Sequence, residues 1–312
     1  MDNLILSFNV VLPLFLSIAL GYALRCQHML EGAAQKSLNR LCFKVFLPIY
    51  VFNNIYTTDM AMAFHPGLAA LAVGGVLGIF ALMMLWVPTI EPDNAKRGVM
   101  DQAIFRSNFV LFGLPVAVSL CGEANIGPTS LLIGFVVPLF NVLAVICLEC
   151  FRGGRPDIRK ILRGIAVNPL IIASALGIAM NLADIPLPAG VHKSIVDLGR
   201  VATPLALVSL GAGFQFRRMK GYARQLFICI SGKLIVSPLV MVALAALMGM
   251  RGEMLVPVLV LFASPVATSS YTMAEQMDGD GTLAASLVVL TTALSIVSMF
   301  LFIFGLKQLG LI

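Results

Sequence analysis

Residues 102–121 read QAIFRSNFVLFGLPVAVSLC, and residues 254–274 read MLVPVLVLFASPVATSSYTMA. Each run is about long enough to cross a bilayer as a helix. Each carries a proline in its middle part, Pro115 and Pro265, followed in both cases by Val-Ala. Proline removes a backbone donor and clashes with the carbonyl four residues earlier, so each helix is predicted to kink or open there. Inside a bilayer, backbone groups freed in this way must face protein or a polar cavity. Two such helices in corresponding parts of a chain predict a crossing pair. Their half-helix N-termini would then bring positive dipole ends to mid-membrane, which suits an anion such as a carboxylate.

The rest of the chain fits that environment. Of 312 residues, 59% are hydrophobic and 12% charged, whereas a soluble domain carries about 25% charged residues. Apolar runs at about 4–24, 37–56, 66–88, 102–121, 127–150, 165–183, 191–214, 224–248, 254–274 and 282–306 predict an all-α membrane protein of ten spans. The runs are continuous rather than alternating, so a barrel is excluded. One alternate set of loops holds thirteen lysines and arginines, most of them in 151–164 and 215–224, and the other set holds only Lys193 and Arg251. The positive-inside rule then places both termini outside, on the side away from the cytoplasm. The net charge of +6 is thereby read as topology, with no nucleic-acid partner. Asp2 stands where a cleavable leader would be basic, so the first run reads as a retained span.

The chain also repeats itself. At an offset of 156 residues, Val11-Leu12-Pro13-Leu14 falls on Val167-Asn168-Pro169-Leu170, Ala19-Leu20-Gly21 on Ala175-Leu176-Gly177, Lys44 on Arg200 and Pro48 on Pro204. Five spans separate the copies, so the second enters the membrane from the opposite side. The predicted organisation is a first repeat over 1–150, a short basic cytoplasmic connection over 151–164, and a second, inverted repeat over 165–312. Inverted repeats are a feature of secondary transporters, whose sites lie at the repeat interface.

Several residues near the two prolines could meet a ligand. Asn108 lies seven residues before Pro115, two helical turns, and so on the same face. Asn141 lies three residues after Pro138, and Thr268 and Ser269 lie just past Ser264 and Pro265. Lys233 stands alone in the uncharged run Phe227–Leu247, and an ionisable residue at that depth is a functional candidate. Lys44 and Arg200, each four residues before a matched proline, suggest a shared structural task such as holding the carbonyls of a crossing helix. Asp101, Glu149 and Glu275 fall near span ends. The coupling ion, proton or sodium, is therefore left open. No H-E-x-x-H, G-x-S-x-G or phosphate-loop motif occurs, which argues against an enzyme. Cys147 and Cys150 form a C-x-x-C without a second pair, which does not make a metal site. No cofactor is expected.

In this order and spacing the chain resembles the auxin efflux carrier family, which includes bacterial malonate- and malate-type permeases and the plant auxin exporters. The marks are Leu20-Gly21-Tyr22, Phe46-Leu47-Pro48, Ser107-Asn108 with Gly113-Leu114-Pro115, Val137-Pro138-Leu139-Phe140-Asn141, Asn168-Pro169-Leu170, Thr203-Pro204-Leu205, Lys233 with Pro238, and Ala263-Ser264-Pro265-Val266-Ala267. The resemblance implies an inverted five-plus-five fold like that of sodium/proton antiporters and bile-acid symporters. A scaffold would be built from spans 1, 2, 6 and 7, and a transport part from the rest. It implies carriage of a small carboxylate by an elevator-like movement, and a homodimer. In plant exporters the carboxylate is held by an asparagine of the fourth span and the broken end of the ninth, positions matched here by Asn108 and Pro265. The acidic scaffold residues of those exporters have no counterpart. The short connection at 151–164 looks like that of a bacterial-type member. Within the same fold, a sodium-coupled symporter or a cation/proton antiporter is the alternative reading, and a non-transporting membrane sensor a remoter one.

Overall fold

The computed structural model describes residues 2–58, 65–122, 125–152, 158–214 and 219–312. Arg155, Arg217 and Arg218, three of the predicted cytoplasmic cations, lie outside the described residues. Every regular element among the described residues is helical. In chain order they are α1 (Asp2–Cys26), α2 (33–56), α3 (Pro66–Ile90), α4 (Asn94–Cys121), α5 (Gly127–Phe151), α6 (158–182), α7 (Ala189–Gly213), α8 (Ala223–Leu247), α9 (Gly252–Gln276) and α10 (Gly281–Gln308). Seven of these, α3, α4, α5, α7, α8, α9 and α10, are long and apolar enough to cross a membrane, and Leu12–Cys26 and Pro169–Leu182 are shorter apolar helices.

Prolines shape these helices in two ways. Cys42–Phe46, Phe109–Gly113 and Gly232–Val236 are single π-helical turns, and each is followed two residues later by a proline: Pro48, Pro115 and Pro238. The carbonyl four residues before each proline, on Lys44, Leu111 or Leu234, lies inside the widened turn. The π turn absorbs the proline clash while the helix continues. Pro115 therefore does not open α4, contrary to the expectation from sequence. The gap in α4 falls upstream at 106–108, between Phe105 and Phe109. In α9 the gap covers 264–267 and includes Pro265 itself. Ser264 is extended, with ψ 148°, as the residue before a proline prefers.

Some boundaries differ from expectation. Asp93 accepts from the Ala95 N–H at 3.0 Å and caps α4 at Asn94, eight residues before the predicted start. Asp101, expected near a span end, is thereby about two turns inside a helix. The 158–182 element α6 has two parts: Ile158–Val167, most of it within the predicted connection, and Pro169–Leu182, which Asn168 caps by accepting from the Leu170 N–H at 2.9 Å. Its Ile158, Ile161, Leu162 and Ile165 recur at helical spacing beside Arg159, Lys160 and Arg163, a pattern suited to a membrane surface. Asp280 caps α10, accepting from the Leu283 N–H at 2.9 Å.

The helices pack in two groups. Helices α1, α7, α2 and α6 pack side by side in that order, with α1 along α7 and the second part of α2 along α6, while α1 also meets α10 and α6 meets α5. Helices α3, α4, α5, α8, α9 and α10 form the other group. Close approach in the first group depends on glycines, among them Gly21, Gly177 and Gly211. A Cβ on Gly21 would stand 2.1 Å from the Val208 carbonyl oxygen of α7, and one on Gly177 would stand 3.1 Å from the Phe52 carbonyl oxygen of α2. Small residues let membrane helices approach at this range. The Gly21→Ala substitution should destabilise the protein by about 1–3 kcal/mol, read as a lower melting temperature in detergent. Gly74→Ala, where an added methyl meets nothing within 4 Å, serves as the control. Equal melting temperatures for the two variants would contradict the close approach of α1 to α7.

Candidate functional site

The two helix gaps meet. The Asn108 N–H of α4 donates to the Pro265 carbonyl of α9 at 2.8 Å. The Asn108 carbonyl accepts from Phe112 N–H at 3.0 Å and Gly113 N–H at 3.3 Å. The Val266 N–H donates to Thr291 Oγ1 of α10 at 3.1 Å. These bonds satisfy backbone groups that broken helices would otherwise leave bare in a dry interior. Gly113 allows the approach: a Cβ there would stand 3.0 Å from Ser264 Oγ and 3.2 Å from the Val260 carbonyl oxygen. The Ser264 hydroxyl in turn donates to that carbonyl.

A cavity opens beside the meeting point. Arg106, Ser107 and Asn108 of α4, Asn141 of α5 and Thr268 and Ser269 of α9 supply its polar wall, and Tyr50, Leu170 and Thr203 face them from α2, α6 and α7. It therefore lies between the two helix groups. Its volume of about 60 Å³ is several times the roughly 10–15 Å³ that one water needs on this measure. The half-helices that begin at Phe109 and Thr268 start at its edge, so two positive dipole ends border it.

Of the residues singled out from sequence, Asn108, Asn141, Thr268 and Ser269 line this cavity. Gly113, Pro115, Ser264 and Pro265 do not line it, and Gly113, Ser264 and Pro265 make contacts of the crossing itself. Asn108 is buried, and its Nδ2 has no hydrogen-bond partner among the described residues. Lys233 is 0% exposed and donates to Ser107 Oγ from behind the α4 gap. It braces the wall without reaching the cavity. Lys44 and Arg200 are exposed; Arg200 stands 3.8 Å from Asp197, and neither bonds a broken helix. Their expected task at the crossing is not what the fold gives them, because α2 and α7 turn these side chains outward.

The sequence reading assigned no role to Arg106, which the structure places at the centre of the polar wall. Its residue is 4% exposed. One amino group, Nη2, donates to Asn141 Oδ1 and Ser269 Oγ, both at 2.8 Å, and Nη1 points at Met273 Sδ at 2.7 Å. No carboxylate pairs with it among the described residues. A guanidinium carries five N–H donors, more than the three contacts of Nη1 and Nη2 described here occupy. The signal was available: Arg106 is the only charged residue between Asp101 and Glu123, the same isolation that drew attention to Lys233.

Comparison with known proteins decides the family. The profile of the family described as "Membrane transport protein" matches residues 6–303. The chain belongs to this family, that of the auxin efflux carriers. An "Uncharacterized transporter" of Methanothermobacter thermautotrophicus is 26% identical, with 94% of this chain and 96% of that protein aligned. A "Putative malonate transporter" of Rhizobium meliloti is 24% identical over 92% of each chain. An uncharacterized transporter of Methanocaldococcus jannaschii is 23% identical, with 92% of this chain and 95% of that protein aligned. The protein is thus an integral membrane transporter.

Asn141 and Ser269 share one nitrogen of Arg106, so their substitutions should couple. Asn141→Ala and Ser269→Ala are each expected to cost about 1.5–3 kcal/mol of stability, the range for bonds to a charged group. The double variant should cost more than their sum by at least about 0.5 kcal/mol, because the nitrogen then loses both acceptors. Strict additivity in detergent unfolding would contradict the shared bond.

Proposed function

We propose that this protein is a secondary active carrier of a small organic anion, a carboxylate of the malonate or malate kind. The observation that carries this reading is the pairing of Arg106 with Asn108 in one cavity. A buried cation there has only neutral acceptors, and a buried amide offers a donor with no protein acceptor. Both lack what a carboxylate supplies, and an arginine fork matches a carboxylate's two oxygens. A permanently charged group at this depth is costly unless it serves a pathway. The volume of the cavity suits a molecule of a few heavy atoms, and the name of the Rhizobium relative points the same way. An antiporter of inorganic cations is disfavoured, because Arg106 would repel its cargo.

The mechanism that accords with this geometry is alternating access of the elevator kind. Helices α1, α2, α6 and α7 would form the scaffold. The other six would carry the gaps and the cavity as one body past it. In this reading the chain has ten spans in two inverted halves, 1–150 and 165–312, joined by 151–164. The matched glycines support it: Gly21 seats α1 on α7, and its mate Gly177 seats α6 on α2, which are the contacts an inverted repeat would exchange. We place the protein in a bacterial inner membrane with both termini outside, as a homodimer, with a proton or sodium ion as coupling partner.

Purified protein in liposomes should take up or exchange labelled malonate, malate or a monocarboxylate, with a pH gradient as a variable. Asn108→Ala should insert normally and weaken binding by about tenfold, the loss of one bond to a charged group. Arg106→Gln should weaken it further. No uptake, exchange or binding of any carboxylate by the wild-type protein would sink the proposal.

A further inference from the structure

Asp101 takes no part in the cavity at the gaps, and no donor satisfies it. It is 0% exposed, and both carboxyl oxygens lack a hydrogen-bond partner among the described residues. It stands five residues before Arg106, about 7.5 Å along a helix axis. Thiols approach the α4 carbonyls near it, with Cys147 Sγ 3.6 Å from the Gly98 oxygen and Cys229 Sγ 3.8 Å from the Met100 oxygen. Cys147 is within electrostatic range of both Asp101 and Arg106. Toward the end of α4 that faces the basic loops, Asn94, Ala95 and Gly98 border a second cavity of about 280 Å³, shared with Arg152 and Asp278. Asn94, Gly98 and Asp101 share one helix face, and that cavity, whose mixed lining includes Asn94, Arg152 and Asp278, has room for water. Asp101 therefore lies on α4 between a cleft that admits water and the wall that holds Arg106.

A carboxylate buried without donors or a paired cation is expensive, and something must be able to relieve its charge. A hard metal ion needs several oxygen ligands, and among the described residues no group of three or more His, Cys, Asp or Glu side chains could hold one. A proton needs no further ligand. We infer that Asp101 is the proton-binding site of the transport cycle, taking up one proton with each substrate anion. This rests on the anion-carrier reading given above. An anion held at Arg106 adds a second negative charge near Asp101, and a proton on Asp101 relieves the repulsion. Proton and anion then raise each other's affinity by the same factor, so anion affinity falls as pH rises.

Other ionisable groups sit on the elements packed against this half of α4. Helix α5 brings Cys147, Glu149 and Cys150, and α8 brings Arg224, Cys229 and Lys233. Helix α9 brings Tyr271 and Glu275, α10 has only Lys307 at its far end, and α3 has none. Among them Lys233 could imitate the effect, since losing its charge would also weaken an anion, so the test includes it.

Malonate binding can be followed calorimetrically in buffers of different ionisation enthalpy between about pH 7 and 8.5, above the range where malonate itself titrates. The wild-type protein should take up about one proton per malonate, with Kd rising by up to about tenfold per pH unit, the limit for one coupled proton. Asp101→Asn should lose both effects, whereas Lys233→Arg, which keeps a donor and a charge that does not titrate in this range, should keep them. Binding without proton uptake in the wild type, or uptake that persists in Asp101→Asn, would overturn the inference. Should Asp101→Asn fail to fold, the infrared difference spectrum of wild-type protein with labelled aspartate replaces it. Malonate should then produce a newly protonated aspartic carboxyl, and its absence would overturn the inference equally. Failure of the wild type to bind malonate at all would instead count against the carrier reading.

Discussion

Arg106 is held inside the protein by two side-chain oxygens and a sulfur, none of them charged. Removing a guanidinium from water costs several kcal/mol, and neutral acceptors return only part of that. The middle of the molecule is organised around this residue. It sits where α4 stops, so its position depends on the gap at 106–108, and the gap is held by the bond from Asn108 to Pro265. Lys233 fixes the gap from the other side through Ser107. Three helices, α5, α8 and α9, thus contribute a side chain or carbonyl to one short stretch of α4.

The same arrangement explains why the broken helices survive in an apolar surrounding. Each amide or carbonyl named at the gaps finds a partner on the opposite gap, on α10 or within its own new helix. Among the described residues, Asn108 Nδ2 has no protein acceptor and Arg106 has no charged one, and both border the cavity. Unmet donors gathered on one wall, beside two half-helix N-termini, give a small volume of positive potential. The facing wall comes from α2, α6 and α7, the other packing group. A molecule held there touches both groups, as the two bodies of a moving carrier require.

Much of this was legible in the sequence. Uncharged runs gave the helices, and the paired prolines pointed to the region where α4 and α9 meet. Asn108, Thr268 and Ser269 were found by their distance from those prolines, and Asn141 by its distance from Pro138. The exact opening of α4 was not legible, because a π turn at Phe109–Gly113 takes up the misfit of Pro115 and the gap arises seven residues earlier. Asp101 was misplaced because the polar first turns of α4 do not read as a span; an aspartate cap at Asp93 carries the helix back to Asn94. Arg106 escaped for a related reason, lying close to a boundary that was set too late. Lys44 and Arg200 match at the 156-residue offset yet are both exposed, so a match between the halves of the sequence does not by itself mark a contact with the site.

The central claim is that Arg106 and Asn108 receive the carboxylate of the carried molecule. A structure of the protein with malonate bound tests it most directly. The account predicts a carboxylate oxygen about 2.7–3.2 Å from an Arg106 nitrogen and another within the same range of Asn108 Nδ2, with Asn141 and Ser269 still bonded to Nη2. Malonate held elsewhere, or Arg106 paired instead with a carboxylate of the protein itself, would contradict it.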